Sequence, residues 1–188
     1  MRFVETELAD AWLLEPEKLT DERGYFMRLR CAQDFAKHGL PKEFVQTNLS
    51  FNQVAGTFRG LHYQAAPSYE AKLVRCIRGE IADVIVDLRP GSPSYLRHQW
   101  FRLDASSLRA LFVPAGFAHG FLTQVDESEV LYEMSDYYAP DLARGIRWDE
   151  PMLGIELPGE LSCINPRDAA YPDLDTDSLM VFRGYGND

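Results

Sequence analysis

Short β-rich runs, turn residues about every ten positions and hardly any amphipathic helix predict an all-β sandwich or barrel, most naturally a jelly roll. The chain has 188 residues, below the length of about 250 at which chains usually divide, so one jelly-roll domain over 1–188 is expected. Its hydrophobic fraction of 46%, with eleven Phe, nine Tyr and three Trp, suits a sizeable core and not a disordered chain.

The elements follow in order. Glu22-Arg23-Gly24-Tyr25-Phe26 reads as a turn entering a strand, with Gly24 as the punctuating residue. Ala32 to His38 reads as a short helix capped by Gly39. Phe44 to Phe51 and Thr57 to Tyr63 read as extended. Lys72 to Ile77 and Ile81 to Leu88 are β-rich runs joined by Arg78-Gly79-Glu80, which reads as a hairpin. His98 to Leu103, Ala110 to Val113, Gly120 to Gln124 and Val130 to Tyr137 complete the strands. Pro, Gly and Asp punctuate the C-terminal region so densely that only a turn or two of helix is expected there. No internal repeat or low-complexity linker stands out, and the polar end Gly184-Tyr185-Gly186-Asn187-Asp188 reads as a mobile tail.

Charge and composition exclude several classes of partner. A net charge of −10 repels polyanions, so nucleic acid is not expected, although a few Arg and Lys inside a pocket can still bind a diphosphate. The longest nearly uncharged run, Ala105 to Gln124, is broken by Arg109, Pro114, Gly116, His119 and Gly120, so no membrane span is expected. The N-terminus lacks an apolar signal core, and the reading is cytoplasmic. Cys31, Cys76 and Cys163 are odd in number and widely spaced, which suggests neither a disulfide framework nor a zinc site.

Strand alternation adds detail. Ile81, Asp83, Ile85 and Asp87 share one face and Ala82, Val84, Val86 and Leu88 the other, both largely apolar. An Asp there lies at a strand end in water or is buried with a partner. Asp87, followed by Arg89-Pro90-Gly91, fits the first case; Asp83 sits deeper and calls for a His or Lys. Val130, Tyr132 and Met134 share a face, which points the Tyr132 phenol into an apolar cavity or leaves it at a barrel rim in water. Lys72 reads as an inward ammonium.

Two stretches carry candidate chemistry. Arg59-Gly60-Leu61-His62-Tyr63-Gln64 sets a cation, an imidazole suited to proton transfer near neutral pH and a phenol within six residues; a lone strand His with a structural role is the competing reading. Val113-Pro114-Ala115-Gly116-Phe117-Ala118-His119-Gly120-Phe121 contains a P-x-G-x-x-H core that resembles the second motif of cupins, small jelly-roll barrels. Gln64 stands where a metal-binding cupin often carries its second His, which argues against a metal, and no cofactor is expected.

Together with Lys72-Leu73-Val74-Arg75, Val86-Asp87-Leu88-Arg89, Asp136-Tyr137-Tyr138-Ala139-Pro140 and Arg144-Gly145-Ile146-Arg147-Trp148, these motifs resemble the dTDP-4-dehydrorhamnose 3,5-epimerase family, in order from about Glu22 to Asp168. The resemblance implies a metal-independent, cupin-type homodimer that inverts C3, C5 or both of a nucleotide-linked 4-keto-6-deoxy sugar. It assigns His62 as base, Asp168 as its partner, Tyr132 as proton donor on the opposite face, and Lys72 as stabiliser of the enolate oxygen. Arg23, Gln46, Asn48, Arg59 and Arg167 match diphosphate and nucleotide contacts, with Arg167 where Lys is usual, and Tyr138 matches the aromatic on which the base stacks. His119 would line the sugar pocket, bonded to Asp83. Arg28 and Ala143 stand where the family usually has Glu. That implies either an altered nucleotide or sugar or, for Arg28, a cation covering an acid at a dimer contact. A metal-dependent cupin enzyme and a non-catalytic sugar-nucleotide binder are the competing functions.

Overall fold

In a computed structural model, residues 1–68 and 70–179 are described; the tail expected at 184–188 lies outside them. Fourteen strands, two short α-helices and two 3-10 turns form among these residues. The strands are β1 (Arg2–Glu5), β2 (Trp12–Glu15), β3 (Lys18–Asp21), β4 (Gly24–Met27), β5 (Gln46–Asn52), β6 (Thr57–Gln64), β7 (Lys72–Arg78), β8 (Glu80–Asp87), β9 (His98–Asp104), β10 (Ala110–Val113), β11 (Phe117–Thr123), β12 (Ser128–Met134), β13 (Ala143–Gly145) and β14 (Cys163–Ile164). The helices are α1 (Ala32–Lys37) and α2 (Pro166–Ala169). No helix among the described residues is long and apolar enough to cross a membrane.

One six-stranded sheet runs β1-β2-β10-β7-β12-β5 and a second sheet runs β13-β6-β11-β8-β9, with β14 beside β6; β3 and β4 pair separately. The core between the sheets interleaves Val74, Cys76, Leu111, Val113 and Val130 from the first with Ile81, Ile85, Leu103 and Phe121 from the second. Both outer faces are also covered. Over the first sheet Phe35 of α1 and Leu40 pack on Leu14, Leu73, Ala110 and Phe112. Over the second, Ile146, Leu153 and Ile155 pack on Phe58, Leu61, Val84, Val86 and Leu122. Double coverage is why β7, β8, β10 and β11 read as continuous apolar runs instead of alternating ones. Helix α1 has no side-chain cap at Cys31. It is held by Phe35, fully buried and edge-on to Phe3, Phe44 and Phe112.

Two expectations are corrected. Arg78-Gly79-Glu80 does not make a hairpin: β7 pairs with β10 and β12, whereas β8 pairs with β9 and β11. Gly79, at φ +77°, turns the chain from one sheet to the other. β7 lies between β10 and β12 in the first sheet and β8 between β11 and β9 in the second, and each is largely buried on both faces there. Asp87 is not at a wet strand end. It is fully buried and accepts from Arg89 Nε at 2.8 Å and from the hydroxyls of Ser92 and Ser94, while Arg89 also reaches Asp10 at 2.7 Å. Burial alone would raise its carboxyl, but these bonds outweigh burial and hold it below the ordinary carboxylate value. Strands β1, β2, β3, β13 and β14 were not foreseen; they are two to four residues long, too short for a legible period.

Candidate active site

Between the sheets, at the end where β12 and β5 face β6 and β11, lies a cavity of about 410 Å³. Strand register assembles its walls. On the first sheet Tyr132 pairs with Asn48, and Met134 with both Gln46 and Lys72. Alternation on β5 turns Gln46, Asn48 and Ser50 toward the cavity and leaves Leu49 and Phe51 outside. On the second sheet His62 and His119 are register partners, which brings together two motifs 57 positions apart in the chain. The phenol of Tyr132 and the imidazole of His62 therefore come from opposite walls.

His62 is bonded through Nε2 to Asp168 Oδ1 at 2.8 Å, with the imidazole nearly half exposed and the carboxylate 7% exposed. The other oxygen, Oδ2, accepts the Gly60 backbone N–H at 3.2 Å. Helix α2 presents Asp168; Pro166 is well placed at its start and Asn165 caps it by accepting from the Arg167 N–H. Burial would raise the Asp168 carboxyl, yet the His62 bond, the Gly60 bond and the Arg167 charge outweigh it, leaving the carboxyl below its ordinary value. An ionised Asp168 accepts a hydrogen bond from Nε2–H, so Nδ1 is the nitrogen left to act as base. Gly60 is obligatory here for a steric reason as well. At φ +132°, a Cβ on it would sit 2.5 Å from Gly120 Cα, where β6 and β11 approach.

Tyr132 is pushed up by burial, with Arg59 opposing and Glu70 adding to the rise. The phenol thus stays protonated at neutral pH. Lys72 is nearly buried, 2.8 Å from Glu70 Oε1, and donates to the His62 carbonyl at 3.4 Å. His119 Nε2 lies 2.9 Å from Asp83 Oδ2, the partner expected for that Asp. Asp83 is fully buried, which raises its carboxyl against the opposing His119 charge. The amide of Gln64 is committed to protein: Nε2 donates to Glu70 Oε2 at 2.8 Å, and Oε1 accepts from the Ala139 N–H at 2.7 Å. No group of three or more His, Cys, Asp or Glu suited to a metal ion occurs among the described residues.

Arg59, Arg167 and Tyr138 stand around the mouth of the cavity, which Ala143 also lines. Arg59 is oriented by Asn52 Oδ1 at 2.7 Å, and the Tyr138 N–H is held by Gln46 Oε1 at 3.2 Å. Arg23 and Arg28 do not line this cavity. Arg23 lies in the exposed turn between β3 and β4, paired with Asp21, and Arg28 follows β4 on the surface. Among the cavity residues that escaped the sequence reading, Glu70 and Tyr171 bear on the chemistry. Glu70 had a signal, since an inward Lys72 demands a counter-charge and an acid stands two positions earlier. Tyr171, edge-on to His62 with ring centroids 6.2 Å apart, had none, because only the docking of the C-terminal segment brings it there.

Comparison with known proteins bears on this arrangement. A profile of the family described as dTDP-4-dehydrorhamnose 3,5-epimerase matches residues 5–176. The chain is 47% identical over 160 residues to a dTDP-4-dehydrorhamnose 3,5-epimerase of Methanothermobacter thermautotrophicus, covering 85% of each chain. Among solved structures it resembles a dTDP-4-dehydrorhamnose 3,5-epimerase of Bacillus anthracis with TDP and PPi bound, at TM-score 0.88 and 39% identity, covering 92% of this chain and 99% of that one. It also resembles a dTDP-6-deoxy-D-glucose-3,5-epimerase of Legionella pneumophila in complex with dTDP-4-keto-L-rhamnose. There the TM-score is 0.89 at 34% identity, covering 97% of this chain and 99% of that one.

Proposed function

The chain belongs to the dTDP-4-dehydrorhamnose 3,5-epimerase family, and from that membership and the geometry of its cavity we propose that it inverts C3, C5 or both of a nucleotide-linked 4-keto-6-deoxyhexose. An epimerase is an isomerase, and the observation that carries the reaction is the His62–Asp168 pair on one wall facing the Tyr132 phenol on the other. The 4-keto group acidifies the hydrogens on both neighbouring carbons. His62 Nδ1 takes one of them, the C–H electron pair becomes the C=C bond of an enolate, and the negative charge passes to the 4-keto oxygen. Asp168 stabilises the imidazolium that results. Lys72 meets the developing oxyanion, an interaction worth about 3 kcal/mol in a dry cavity. The Tyr132 phenol then delivers a proton to the opposite face of the carbon, and solvent resets both groups.

Binding follows from the mouth of the cavity. Arg59 and Arg167 take the diphosphate, Gln46 and Asn48 contact the nucleotide side, and the flat face of Tyr138 stacks on the base. His119, held by Asp83, lines the sugar pocket. The protein acts as a homodimer. Support comes from Leu19, Tyr25 and Phe26 on the β3–β4 hairpin and Leu49 and Phe51 on the edge strand β5, large apolar side chains exposed by 48% to 65%. Arg23 and Arg28 belong to that contact and act on substrate from it.

The test is incubation in heavy water with dTDP-, GDP-, CDP- and UDP-linked 4-keto-6-deoxy sugars, with NMR to show which carbon gains deuterium. Exchange at C3, C5 or both is expected; the sugars that exchange identify the nucleotide, and the configuration of the product at each labelled carbon gives the number of centres inverted. Binding without exchange would turn the reading to a non-catalytic binder. Exchange that depends on bound iron, manganese or zinc would turn it to a metal-dependent cupin.

A further inference from the structure

Glu70 is a buried acidic side chain with no step of its own in the proposed reaction. Its Oε1 lies 2.8 Å from Lys72 Nζ, with side chains 3% and 10% exposed. Its Oε2 accepts from Gln64 Nε2 at 2.8 Å. The Lys72 ammonium also donates to the His62 carbonyl at 3.4 Å. An ammonium has three donors, so two are tethered and the third is left for the cavity that Lys72 and Glu70 both line. Without the tether, a lysine stem with four rotatable bonds would spread its charge over several positions, and a charge aimed in advance is what lowers a barrier.

Resting on the epimerase reading, we infer that Glu70 is a positioning residue: it holds the Lys72 ammonium where the enolate oxygen develops. Gln64 makes this brace directional. Its Oε1 is taken by the Ala139 N–H at 2.7 Å, so its Nε2 must face Glu70, Ser68 Oγ at 3.2 Å and the Tyr137 carbonyl at 3.2 Å. Gln64 and Lys72 both present donors to residue 70, and a carboxylate has acceptors for both. An amide there would turn its own donor toward one of them. Glu70→Gln therefore breaks the brace while keeping the size of the side chain.

The experiment is a double-mutant cycle of Glu70→Gln and Lys72→Met, read as kcat and KM for deuterium exchange into a dTDP-linked 4-keto-6-deoxy sugar. Binding of dTDP by calorimetry reports on the folded pocket in every variant. Glu70→Gln is expected to lower kcat at least about tenfold with KM moved less than about threefold, and to cause no further loss in the Lys72→Met background. The same factor of loss in both backgrounds would show a structural role and overturn the inference while leaving the epimerase reading intact, and so would an unchanged kcat. No exchange by the wild type with any nucleotide sugar would remove the epimerase reading and this inference with it. Should Glu70→Gln fail to fold, Glu70→Asp in the same cycle keeps the charge on a shorter arm. A smaller kcat loss that vanishes with Lys72→Met supports the inference, and a loss that persists overturns it.

Discussion

Replacing Asp168 with Asn leaves the shape of the site almost unchanged and removes one charge. The carboxylate stands 2.8 Å from His62 Nε2, and the charge on the imidazolium is spread over the ring, about 4 Å away. Because His62 is nearly half exposed, an effective dielectric near 20 applies, and two unit charges about 4 Å apart then interact by about 4 kcal/mol. That corresponds to about a thousandfold in rate. A second effect acts in the same direction. The Asn carbonyl would keep the Gly60 N–H and turn its amide donor to Nε2, forcing the imidazole proton onto Nδ1, the nitrogen that should act as base. The assay is the rate of deuterium exchange at saturating substrate, with a thermal melt and dTDP binding to show that the fold persists. An exchange rate above about a tenth of wild type would refute the pairing as the source of catalysis, since Coulomb loss alone demands more.

Three other outcomes are expected. Tyr132→Phe should keep deuterium exchange within about tenfold while lowering net inversion at least about a hundredfold, because His62 can still return a deuteron to the face it came from; NMR and chiral analysis of one sample decide it, and inversion that keeps pace with exchange would remove Tyr132 as the donor. Asp87→Asn should destabilise the fold by about 3 kcal/mol, the low end for breaking a buried pair, because Asp10 still holds Arg89. The folded carboxyl of Asp87 lies below its unfolded value, so its contribution is present above about pH 4 and is lost as pH falls through the folded value; denaturant melts from pH 7 to pH 3 should show the gap between variant and wild type closing. Gly60→Ala puts a Cβ 2.5 Å from Gly120 Cα at φ +132°, and should cost about 3 kcal/mol, about 6–12 °C in Tm for a chain of this size.

Much of this molecule is legible along the chain. The cavity strands β5, β6, β7, β11 and β12 were each anticipated at least in part, because turn residues and β-branched runs act over a few positions; β13, which also lines the cavity, was not. Alternation correctly set Ile81 and Ile85 against Val84 and Val86, which divide between two cores. It left Tyr132 open between the cavity and the rim, and both Tyr132 and Lys72 line the cavity. Alternation did not disclose Asp87, because a partner found two, five and seven residues later is a property of the loop's closure and not of strand period. The hairpin expected at Gly79 failed for a related reason. A turn signal says that the chain reverses, while the pairing with distant strands decides which sheet receives the next one.

By itself the sequence determined most of the longer β-strands, the division of β8 between two apolar faces, and the motifs that name a proton-transfer chemistry. Those depend on local stereochemistry and on side-chain type. Only the tertiary structure decided that Lys72 meets Glu70, that Tyr171 lies against His62, and that Arg23 and Arg28 stand away from this chain's cavity; it also brings His62 to Asp168, the partner the family resemblance implies, across 106 positions. Such pairs exist because two sheets and a C-terminal segment bury their apolar faces together, and no local pattern records which faces those will be.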